Sequence, residues 1–478
     1  MSKTKKDKSE EQNKTEKPLM GVCQMIVEST EAFNKLLSDS LNIYDQALYF
    51  IRQDFFKKPF EERDITKYDI PSKNKLHKLI RSTPKFKNSI LDYNVRQYAV
   101  EQAREAFKDW KEAMIEYKKN PSDFSGQPEI PHYKYFTKFY NKITIDKTRF
   151  KSFDRVKREL YIPKTDIRIK IPEYINIDKI RCLVVTKHYN KIKITFNYFV
   201  EFKNIDNKYK LKRSSCVGVD PGVNNLFALT TNDKAGSLII NGRQIKCLIQ
   251  WYNKSLARMN SELPLLPKEK RTEYVTQVKT SKAITNLCLK HSNQLRNICD
   301  EVSKMVIDFC LKQKSGTIIV GKNKYWKTGG MKNKNKEVEK QNNQNFINMP
   351  IARILERIQY KAHLYGIQYI EVEESYTSKT DHLMFEKMEH MEKSERSGRR
   401  IHRGLFKSGC GKVFNADING AIGMLRKAKV ISKKQLMLMR DRGDIVTPEV
   451  RNIFILHQKK KKNASTRSKN IDCINKFI

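Results

Sequence analysis

The chain has 478 residues, enough for about two to four domains with a sizeable core. Lysine and arginine outnumber aspartate and glutamate by 95 to 53, and the net charge of +42 favours a polyanionic partner, nucleic acid rather than a membrane surface. No apolar run approaches the roughly 20 residues that span a bilayer, and residues 1–17 lack the apolar core of a signal peptide, so we expect a soluble intracellular protein, cytoplasmic or, in a eukaryotic host, nuclear.

The cysteines give no sign of a disulfide framework or a zinc site. Nine are scattered through the chain, and no two are spaced as CxxC. Cys288, Cys299 and Cys310 recur at one interval and share a face of a predicted long helix, where we interpret them as buried apolar residues.

The N-terminal region is predicted to be helical after a disordered basic tail over residues 1–18. Apolar residues at helical spacing predict amphipathic helices over residues 29–56 and 94–118. Basic side chains interleave with aromatic ones in both, which suits contact with a phosphate backbone and equally suits a helical core with a charged, solvated face. The basic residues singled out on or just after the first helix are Arg52, Lys57 and Lys58.

A strand-rich region follows a linker or extended clamp at residues 124–136, which Gly126, Pro128 and Pro131 interrupt. Residues 191–201 alternate apolar and polar side chains, as half-buried antiparallel strands do. We expect a small β-barrel or sandwich here, split off from the N-terminal helices. Its predicted strands are residues 141–145, 159–162, 166–171, 180–187 and 191–201.

The next segment, residues 215–232, reads SCVGVDPGVNNLFALTTN and predicts two antiparallel strands joined by a Pro-Gly turn. Asp220 stands where the first strand meets the turn. A carboxylate there can hold a cation at the strand edge, or it can bond to the backbone of its own turn.

The remaining elements alternate between helices and strands after a third strand at residues 237–240. In order they are helices 248–263 and 282–312, strand 317–320, helix 346–365, strand 367–372 and helix 417–427. Three antiparallel strands followed by helix, strand, helix, strand and helix is the order of the RNase H fold. We therefore predict an α/β nuclease domain of the RuvC or RNase H-like class.

Three acidic residues fall at the ends of these elements: Asp220, Glu374 and Asp417. In two-metal phosphodiester hydrolysis, carboxylates from separate elements hold two ions, one activating water and one stabilising the leaving oxygen. Mg²⁺ prefers such all-oxygen ligands. Glu374 could instead be an exposed strand-end charge, like Glu373, and Asp417 a helix N-cap, but a single site accounts for all three positions.

Several motifs resemble one known family. GVDPGVNNL, VEESYTSK and FNADINGAIGMLRK resemble the three RuvC motifs of the transposon-encoded TnpB nucleases, small relatives of type V CRISPR effectors. FSGQPEIPHYK, INGRQIKCLIQWYNK and the stretch from GKNKYWK to NNQNF also look like that family, so the resemblance covers about residues 20–430. It implies an RNA-guided DNA endonuclease that binds a structured guide RNA and target DNA, as one monomer per guide RNA. It also implies that Asp220, Glu374 and Asp417 hold two Mg²⁺ ions and cut DNA.

The resemblance further implies a domain order. An N-terminal helical recognition lobe would cover residues 19–137, a β-barrel-like wedge domain residues 138–212, and the nuclease domain residues 213–430. Residues 431–478 would form a basic C-terminal tail, either a flexible phosphate-binding arm or a solubilising end, with a lysine run at residues 459–462.

The second acid departs from the pattern of much of the family. There the acid closes the fourth strand, where this chain has Gly321. Some branches carry a glutamate one strand later, three residues before a Thr-Ser pair, and Glu374 matches that position. Neighbouring strands are about 4.8 Å apart, which a glutamate side chain can span. Glu373, on the opposite face of the strand, is the second choice.

The zinc ribbon of most relatives is also missing. Residues 375–416 contain Cys410 as their sole cysteine where four ligands would be needed, and histidines such as His382 could not complete a normal site, so we predict no zinc. The segment SGRRIHRGLFKSG suits contact with nucleic-acid backbone, or forms a solvated loop. Its basic residues are Arg399, Arg400, His402, Arg403 and Lys407.

Three other functions stay open: a compact type V CRISPR effector of the same fold, a nuclease-inactive RNA-guided DNA-binding regulator, and an RNase H-like transposase that joins as well as cuts. Loss of an acid would mark the regulator, and the long N-terminal half weighs against the transposase.

Overall fold

The computed structural model describes most of the chain between residues 20 and 453. The described residues are 20–57, 59, 63–124, 126–134, 142–147, 153–162, 165–200, 210–233, 236–265, 267–270, 280–322, 348–390, 392–402 and 404–453. The predicted N-terminal tail, Lys58, Arg403 and the lysine run at residues 459–462 lie outside the described residues.

The chain divides into two compact units. The first comprises Met1–Lys203 with Ser281–Leu289, and the second comprises Asn204–Thr280 with Lys290–Ile478. Among the helices in the described part of the chain, none combines the length and hydropathy needed to cross a membrane.

Two long helices dominate the first unit, as predicted. Helix α1 (Glu31–Phe56) begins at Thr30, whose side-chain oxygen accepts a hydrogen bond from a first-turn amide. Two shorter helices that the sequence did not reveal follow, α2 (Lys73–Arg81) and α3 (Pro84–Lys87). Helix α4 (Tyr93–Lys119) then begins in the same way at Asp92.

The strands of the first unit form two open antiparallel sheets. They are β1 (Met20–Glu28), β2 (Lys142–Asp146), β3 (Phe153–Asp154), β4 (Glu159–Tyr161), β5 (Arg168–Lys170), β6 (Ile180–His188) and β7 (Lys191–Phe199). The larger sheet has the order β1-β7-β6-β2, and the smaller has the order β3-β4-β5. The predicted strands are confirmed, but a closed barrel is not seen among the described residues, because β1 and β2 stay at opposite edges. The region predicted as helical, residues 19–137, also begins with a strand.

One hydrophobic core underlies both the helices and the larger sheet. It includes Leu36 of α1, Phe107 of α4, Leu183 of β6 and Phe196 of β7, all of which are buried. The prediction that the strand region is split off from the helices is therefore wrong. The helices cover the sheet face that a second sheet of a sandwich would otherwise bury.

A six-stranded mixed sheet forms the centre of the second unit. Its strands are β8 (Lys212–Pro221), β9 (Asn225–Thr231), β10 (Ser237–Asn241), β11 (Ser315–Lys322), β12 (Gln368–Glu373) and β16 (Glu449–Arg451). Their order is β12-β11-β8-β9-β10-β16. Strands β8, β9 and β10 are antiparallel neighbours, while β11 runs parallel to β8 and β12 parallel to β11. The five predicted strands are confirmed, and β16, parallel to β10, was not predicted.

Helices alternate with these strands in the predicted order. They are α5 (Arg243–Ser261), α6 (Lys282–Gln313), α7 (Ile351–Leu364) and α8 (Ala416–Lys427). Just beyond α7 stands Gly366, whose φ of +67° lies in the left-handed region that commonly ends helices. Within α6, Cys299 and Cys310 are buried, as predicted, and Cys288 is partly buried.

Residues 375–416 contain a small antiparallel sheet of β13 (Arg399–His402), β14 (Leu405–Lys407) and β15 (Val413–Asn415). Phe406 of β14 packs edge-on against Phe414 of β15, and both rings are buried. The basic segment considered as a solvated loop therefore includes two strands.

The C-terminal residues 431–453 belong to the folded unit. Helices α9 (Lys433–Arg440) and α10 (Gly443–Val446) precede β16. Leu436, Met439 and Ile445 are buried in a shared core. The predicted tail over residues 431–478 is thus wrong as far as residue 453, because a few well-spaced apolar residues anchor a segment that is basic overall.

Candidate active site

Three carboxylates lie together in the second unit, each on a different element. Asp220 is the penultimate residue of β8, Glu374 follows directly after β12, and Asp417 is the second residue of α8. Because β11 separates β8 from β12 in the sheet, Glu374 must reach across one strand. These are the three acids that the sequence singled out.

Two glycines allow α8 to lie directly against β8. A Cβ atom on Gly218 of the strand would lie 2.2 Å from the carbonyl oxygen of Ala421 on the helix. A Cβ atom on Gly420 of the helix would lie 2.4 Å from Oδ2 of Asp220. Neither position has room for a side chain, so the helix that carries Asp417 is held against the strand that carries Asp220.

The three acids interact electrostatically. Burial raises the pKa of Asp220 well above its usual range, and the negative charges of Asp417 and Glu374 raise it further. The positive charge of Arg400 acts in the opposite direction. A buried carboxylate whose pKa is raised further by neighbouring carboxylates is characteristic of functional sites.

Glu374 occupies space that Gly321 leaves open. Gly321 of β11 pairs with Val372 of β12 in parallel register. A Cβ atom on Gly321 would lie 2.8 Å from both Cγ and Oε1 of Glu374. Glu373 is exposed. Of the two candidate glutamates, Glu374 is the one whose charge acts on Asp220.

Asp417 accepts a hydrogen bond from Asn225, a residue that the sequence analysis did not single out. Asn225 Nδ2 at the start of β9 donates to Asp417 Oδ2 at 2.8 Å. The N-cap of α8 is Asn415, whose Oδ1 accepts from the Asp417 amide at 2.8 Å. The alternative in which Asp417 itself caps the helix is therefore wrong. Asn225 follows Asn224 in the motif GVNNL, and nothing in that pattern distinguishes the two.

The donor set fits a hard divalent cation. Within the described residues, no group of three or more His, Cys, Asp or Glu side chains is already arranged as a metal cluster. The three acids nevertheless offer oxygen ligands alone, which Mg²⁺ prefers over Zn²⁺. Burial and then the charges of Asp417 and Glu374 raise the pKa of Asp220, and a bound cation would favour its ionised form.

The residues predicted to bind nucleic acid differ in their surroundings. The Arg52 guanidinium donates to the Pro131 carbonyl oxygen at 2.8 Å and lies 5.1 Å from the centre of the Tyr133 ring, so it is engaged within the first unit. Lys57 is exposed at the end of α1. Arg399, Arg400 and Lys407 are exposed on β13 and β14, and of these Arg400 is the one whose charge acts on Asp220.

Buried carboxylates tie residues 375–416 together. Asp381 accepts hydrogen bonds from Ser408 Oγ at 2.8 Å and from the Gly409 amide at 2.7 Å. Glu386 pairs with Arg396 at 3.2 Å, and both of these side chains are less than a tenth exposed. Composition alone could not reveal such a network, because nothing in the sequence around Asp381 and Glu386 distinguishes them from acidic residues that are exposed.

His382, considered and set aside as a zinc ligand, is part of the same network. Its Nε2 lies 2.8 Å from the Thr377 carbonyl oxygen, and its Nδ1 accepts from Arg426 Nη1 at 3.0 Å. Burial lowers the pKa of His382 to about 3, so the ring is neutral and donates through Nε2.

Two family models match parts of the chain. Residues 197–327 match the model described as a probable transposase, OrfB_IS605. Residues 352–424 match the model of the Cas12f1-like TNB domain. Both are consistent with a TnpB-like protein. Among curated proteins, none matches.

Solved structures with mixed α/β content are also similar. A Cas12f1–sgRNA–target DNA complex is 15% identical, covers 82% of this chain and 81% of its own, and gives a TM-score of 0.45. CasPhi-2 (Cas12j) bound to crRNA is 11% identical, and the match covers 87% of this chain and 99% of that chain with a TM-score of 0.41. The mini-RNA-guided endonuclease CRISPR-Cas_phi3 is 12% identical, and the match covers 90% of this chain and 94% of that chain with a TM-score of 0.37.

Proposed function

We propose that this TnpB-like protein is an RNA-guided DNA endonuclease that cuts target DNA by metal-dependent phosphodiester hydrolysis. The observation that carries the proposal is the placement of Asp220 at the end of β8, Glu374 after β12 in the space beside Gly321, and Asp417 on α8, the helix packed against β8. Acids from three separate elements that share one electrostatic environment are what two-metal hydrolysis requires. The second unit would accordingly be a RuvC or RNase H-like nuclease domain, with Glu374 as the relocated second acid.

The positive charge and the domain order support the guided part of the proposal. A net charge of +42 would be neutralised by a guide RNA and its paired target DNA. Residues 19–137 would act as the recognition region and residues 138–212 as the wedge region, and the two regions share the first unit as far as Lys203. The complex would be one monomer per guide RNA inside the cell.

Asp220, Glu374 and Asp417 would hold two Mg²⁺ ions. When bound, the ions would supply an activated water and stabilise the leaving oxygen of the phosphodiester. The chain's own groups prepare the site. Asn225 fixes the Asp417 carboxylate, the open space at Gly321 admits Glu374, and Arg400 adds positive charge where the scissile phosphate would lie.

The test begins with the RNA. The full chain is co-expressed with its flanking DNA, the copurifying RNA is sequenced, and a matched DNA target is incubated with the complex and Mg²⁺. We expect one discrete RNA and cleavage of the matched target. Absence of any discrete bound RNA would overturn the proposal that the endonuclease is guided by RNA.

The matched pair Glu374→Gln and Glu373→Gln tests the site. Both changes remove one charge from adjacent positions, so a general electrostatic effect would be equal in the two. We expect Glu374→Gln and Asp220→Asn to lose cleavage by about a hundredfold or more, with Glu373→Gln close to the parent. Full cleavage by Glu374→Gln with Glu373→Gln inactive would reassign the second acid.

The family model for residues 197–327, described as a probable transposase, favours a second candidate. An RNase H-like transposase would use the same acids to join DNA ends as well as cut them. A strand-transfer assay with the ends of the element distinguishes the two, because a guided endonuclease leaves cut products and forms no joined ones.

A further inference from the structure

One face of α8 runs along the candidate site. The residues that share this face recur at intervals of three and four, and they are Asp417, Gly420, Met424 and Lys427. Gly420 lies against the Asp220 carboxylate, since a Cβ atom there would lie 2.4 Å from Oδ2. Met424 and Glu374 border the same space, because a Cβ atom on Gly321 would lie 2.9 Å from Met424 Sδ and 2.8 Å from Glu374 Cγ. The helix therefore contacts the surroundings of all three acids.

Lys427, the last residue on this face, reaches the residue beside Glu374. Its Nζ donates a hydrogen bond to Ser375 Oγ at 3.1 Å. Burial lowers the pKa of Lys427, and the negative charges of Glu373 and Glu374 act in the opposite direction. The ammonium group thus holds the chain directly after Glu374 and lies within electrostatic reach of its carboxylate.

The chain turns sharply directly after Glu374. The Glu374 carbonyl oxygen accepts hydrogen bonds from the Thr377 amide at 3.2 Å and from the Thr377 hydroxyl at 2.8 Å. Tyr376, inside this turn, has a φ of +63°, in the left-handed region that favours glycine. A tyrosine stays in that region only when its surroundings fix the backbone, and such positions are concentrated at functional sites.

A second face of α8 holds the far side of this turn. Arg426 Nη1 donates to His382 Nδ1 at 3.0 Å, and His382 Nε2 donates to the Thr377 carbonyl oxygen at 2.8 Å. Gly423, one turn earlier on the helix, allows this approach, since a Cβ atom there would lie 2.6 Å from His382 Nε2. Hydrogen bonds therefore connect the end of α8 to the backbone of Glu374 through His382 and Thr377.

We propose that the last turn of α8 positions Glu374 to bind the cation. Lys427 would fix one side of the turn through Ser375, and Arg426 would fix the other side through His382. One helix would then determine the placement of two of the three acids. The inference rests on the proposed function for the role of Glu374 as a metal ligand, and it makes Lys427, Arg426 and His382 positioning residues.

The test measures metal binding directly and needs neither RNA nor DNA. The full chain, freed of nucleic acid in high salt, is titrated with Mn²⁺, which takes the same oxygen ligands as Mg²⁺. Free Mn²⁺ is followed by its electron paramagnetic resonance signal. We expect Asp220→Asn to lose binding, and parental binding in that variant would overturn the proposed function and this inference with it. Loss of binding in Asp220→Asn, with parental affinity in every variant below, would overturn the inference alone.

Lys427→Met is compared with Lys434→Met, which removes the same charge from an exposed position on α9. By charge alone, loss of a lysine beside the acids would strengthen cation binding. We expect instead about tenfold weaker binding than in the control, because Glu374 loses its position. Parental or tighter binding in Lys427→Met would overturn the proposal.

Ser375→Ala removes the partner of Lys427 without changing any charge. It should also weaken Mn²⁺ binding, and the double variant Lys427→Met/Ser375→Ala should bind no more weakly than Lys427→Met, since both changes remove one hydrogen bond. Ser378→Ala, at another exposed serine of the same segment, is the control and should match the parent. Additive losses in the double variant would overturn the proposal.

His382→Leu and His382→Gln separate positioning from stability. Glutamine can keep one donor and one acceptor, whereas leucine keeps neither. We expect a lower melting temperature and about tenfold weaker Mn²⁺ binding in His382→Leu, with most of the affinity restored in His382→Gln. A lower melting temperature with parental Mn²⁺ affinity in His382→Leu would reveal a structural role alone and overturn the proposal. If His382→Leu does not fold, Lys427→Met and Ser375→Ala decide the outcome, since Ser375 is exposed and Lys427 is only partly buried.

Discussion

Gly321 and Glu374 share one space from neighbouring strands, since a Cβ atom on Gly321 would lie 2.8 Å from both Cγ and Oε1 of Glu374. The strand that lacks an acid thus admits the acid of the strand beside it. If Glu374 is the second acid of the site, the glycine is as necessary as the glutamate.

Gly321→Ala should therefore impair cleavage without removing any acid. The added methyl group displaces the Glu374 side chain, and we expect cleavage to fall by about tenfold or more, with a loss of stability of about 1–3 kcal/mol. Cleavage rates are compared with those of Gly443→Ala, where an added Cβ meets no other atom. Parental activity in Gly321→Ala would show that Glu374 does not need its present position.

Asn225→Ala should weaken the response to Mg²⁺. Loss of the 2.8 Å hydrogen bond leaves the Asp417 carboxylate without this orienting contact, and such partners of metal ligands are worth about 10- to 100-fold in metal affinity or activity. A titration of cleavage against Mg²⁺ should therefore shift to higher concentration. Asn224→Ala is the control, because it removes a neighbouring amide that makes no such bond to Asp417. Equal Mg²⁺ dependence in the two variants would reject the role.

Asp220→Asn should stabilise the metal-free protein increasingly as pH rises. The folded-state pKa of Asp220 is raised above the reference value of 3.8, so its contribution to stability is present below that value and is lost as pH rises through the folded pKa. The melting temperature of Asp220→Asn in EDTA should exceed that of the parent, by a margin that grows as the pH rises above 3.8 towards the folded-state pKa of Asp220. Added Mg²⁺ should then raise the melting temperature of the parent more than that of Asp220→Asn.

The exposed Asp123 provides the control for that experiment. Asp123→Asn should follow the parent at every pH, with or without Mg²⁺. A margin for Asp220→Asn that shrinks as pH rises would contradict the raised pKa of Asp220 in the folded protein.

Residues 375–416 should keep their fold without zinc. Asp381 and Glu386 hold this segment through buried hydrogen bonds and an ion pair. We expect less than stoichiometric zinc in the purified chain and no change in melting temperature with a strong chelator. Asp381→Ala should lower the free energy of unfolding by about 2–4 kcal/mol, because it leaves the Ser408 hydroxyl and the Gly409 amide without their acceptor. Glu389→Ala, at an exposed position, is the control. Zinc at one ion per chain would contradict the prediction.

Ile445→Ala should destabilise the second unit, since the side chain is buried in a core with Leu436 and Met439. We expect a loss of about 2–5 kcal/mol in denaturant unfolding. The adjacent Val446 is 43% exposed, so Val446→Ala should cost far less. Equal losses would mean that residues 431–453 are not packed as described.

The elements with long, regular patterns were predictable from sequence. The helix over residues 29–56 and the strand over residues 191–201 were found within about two residues, because each repeats its apolar side chains many times. Strand β16 was missed because three residues, Glu449–Arg451, carry no period. The shared core of the first unit was missed because Leu36 and Phe196, far apart in the chain, join one core only through tertiary packing.

The three acids of the candidate site could be selected from the sequence, but their arrangement in space could not. Asp220, Glu374 and Asp417 stood at element ends in the sequence, but their spacing along the chain could not show that Asn225 bonds to Asp417. Nor could it show that Gly420 leaves room for the Asp220 carboxylate. Both depend on how closely a helix approaches a strand, which side-chain types alone do not determine.

Strand β16 has a consequence for the synthesis of the protein. It covers the edge of β10, whose residues Leu238 and Ile240 are buried in the finished sheet. About 200 residues separate the two strands in the chain, which corresponds to about 10–40 seconds of translation. For that interval the growing chain presents an open strand edge of the kind that pairs with other chains. We therefore expect newly made protein to aggregate at this edge unless a chaperone covers it until residue 451 has emerged.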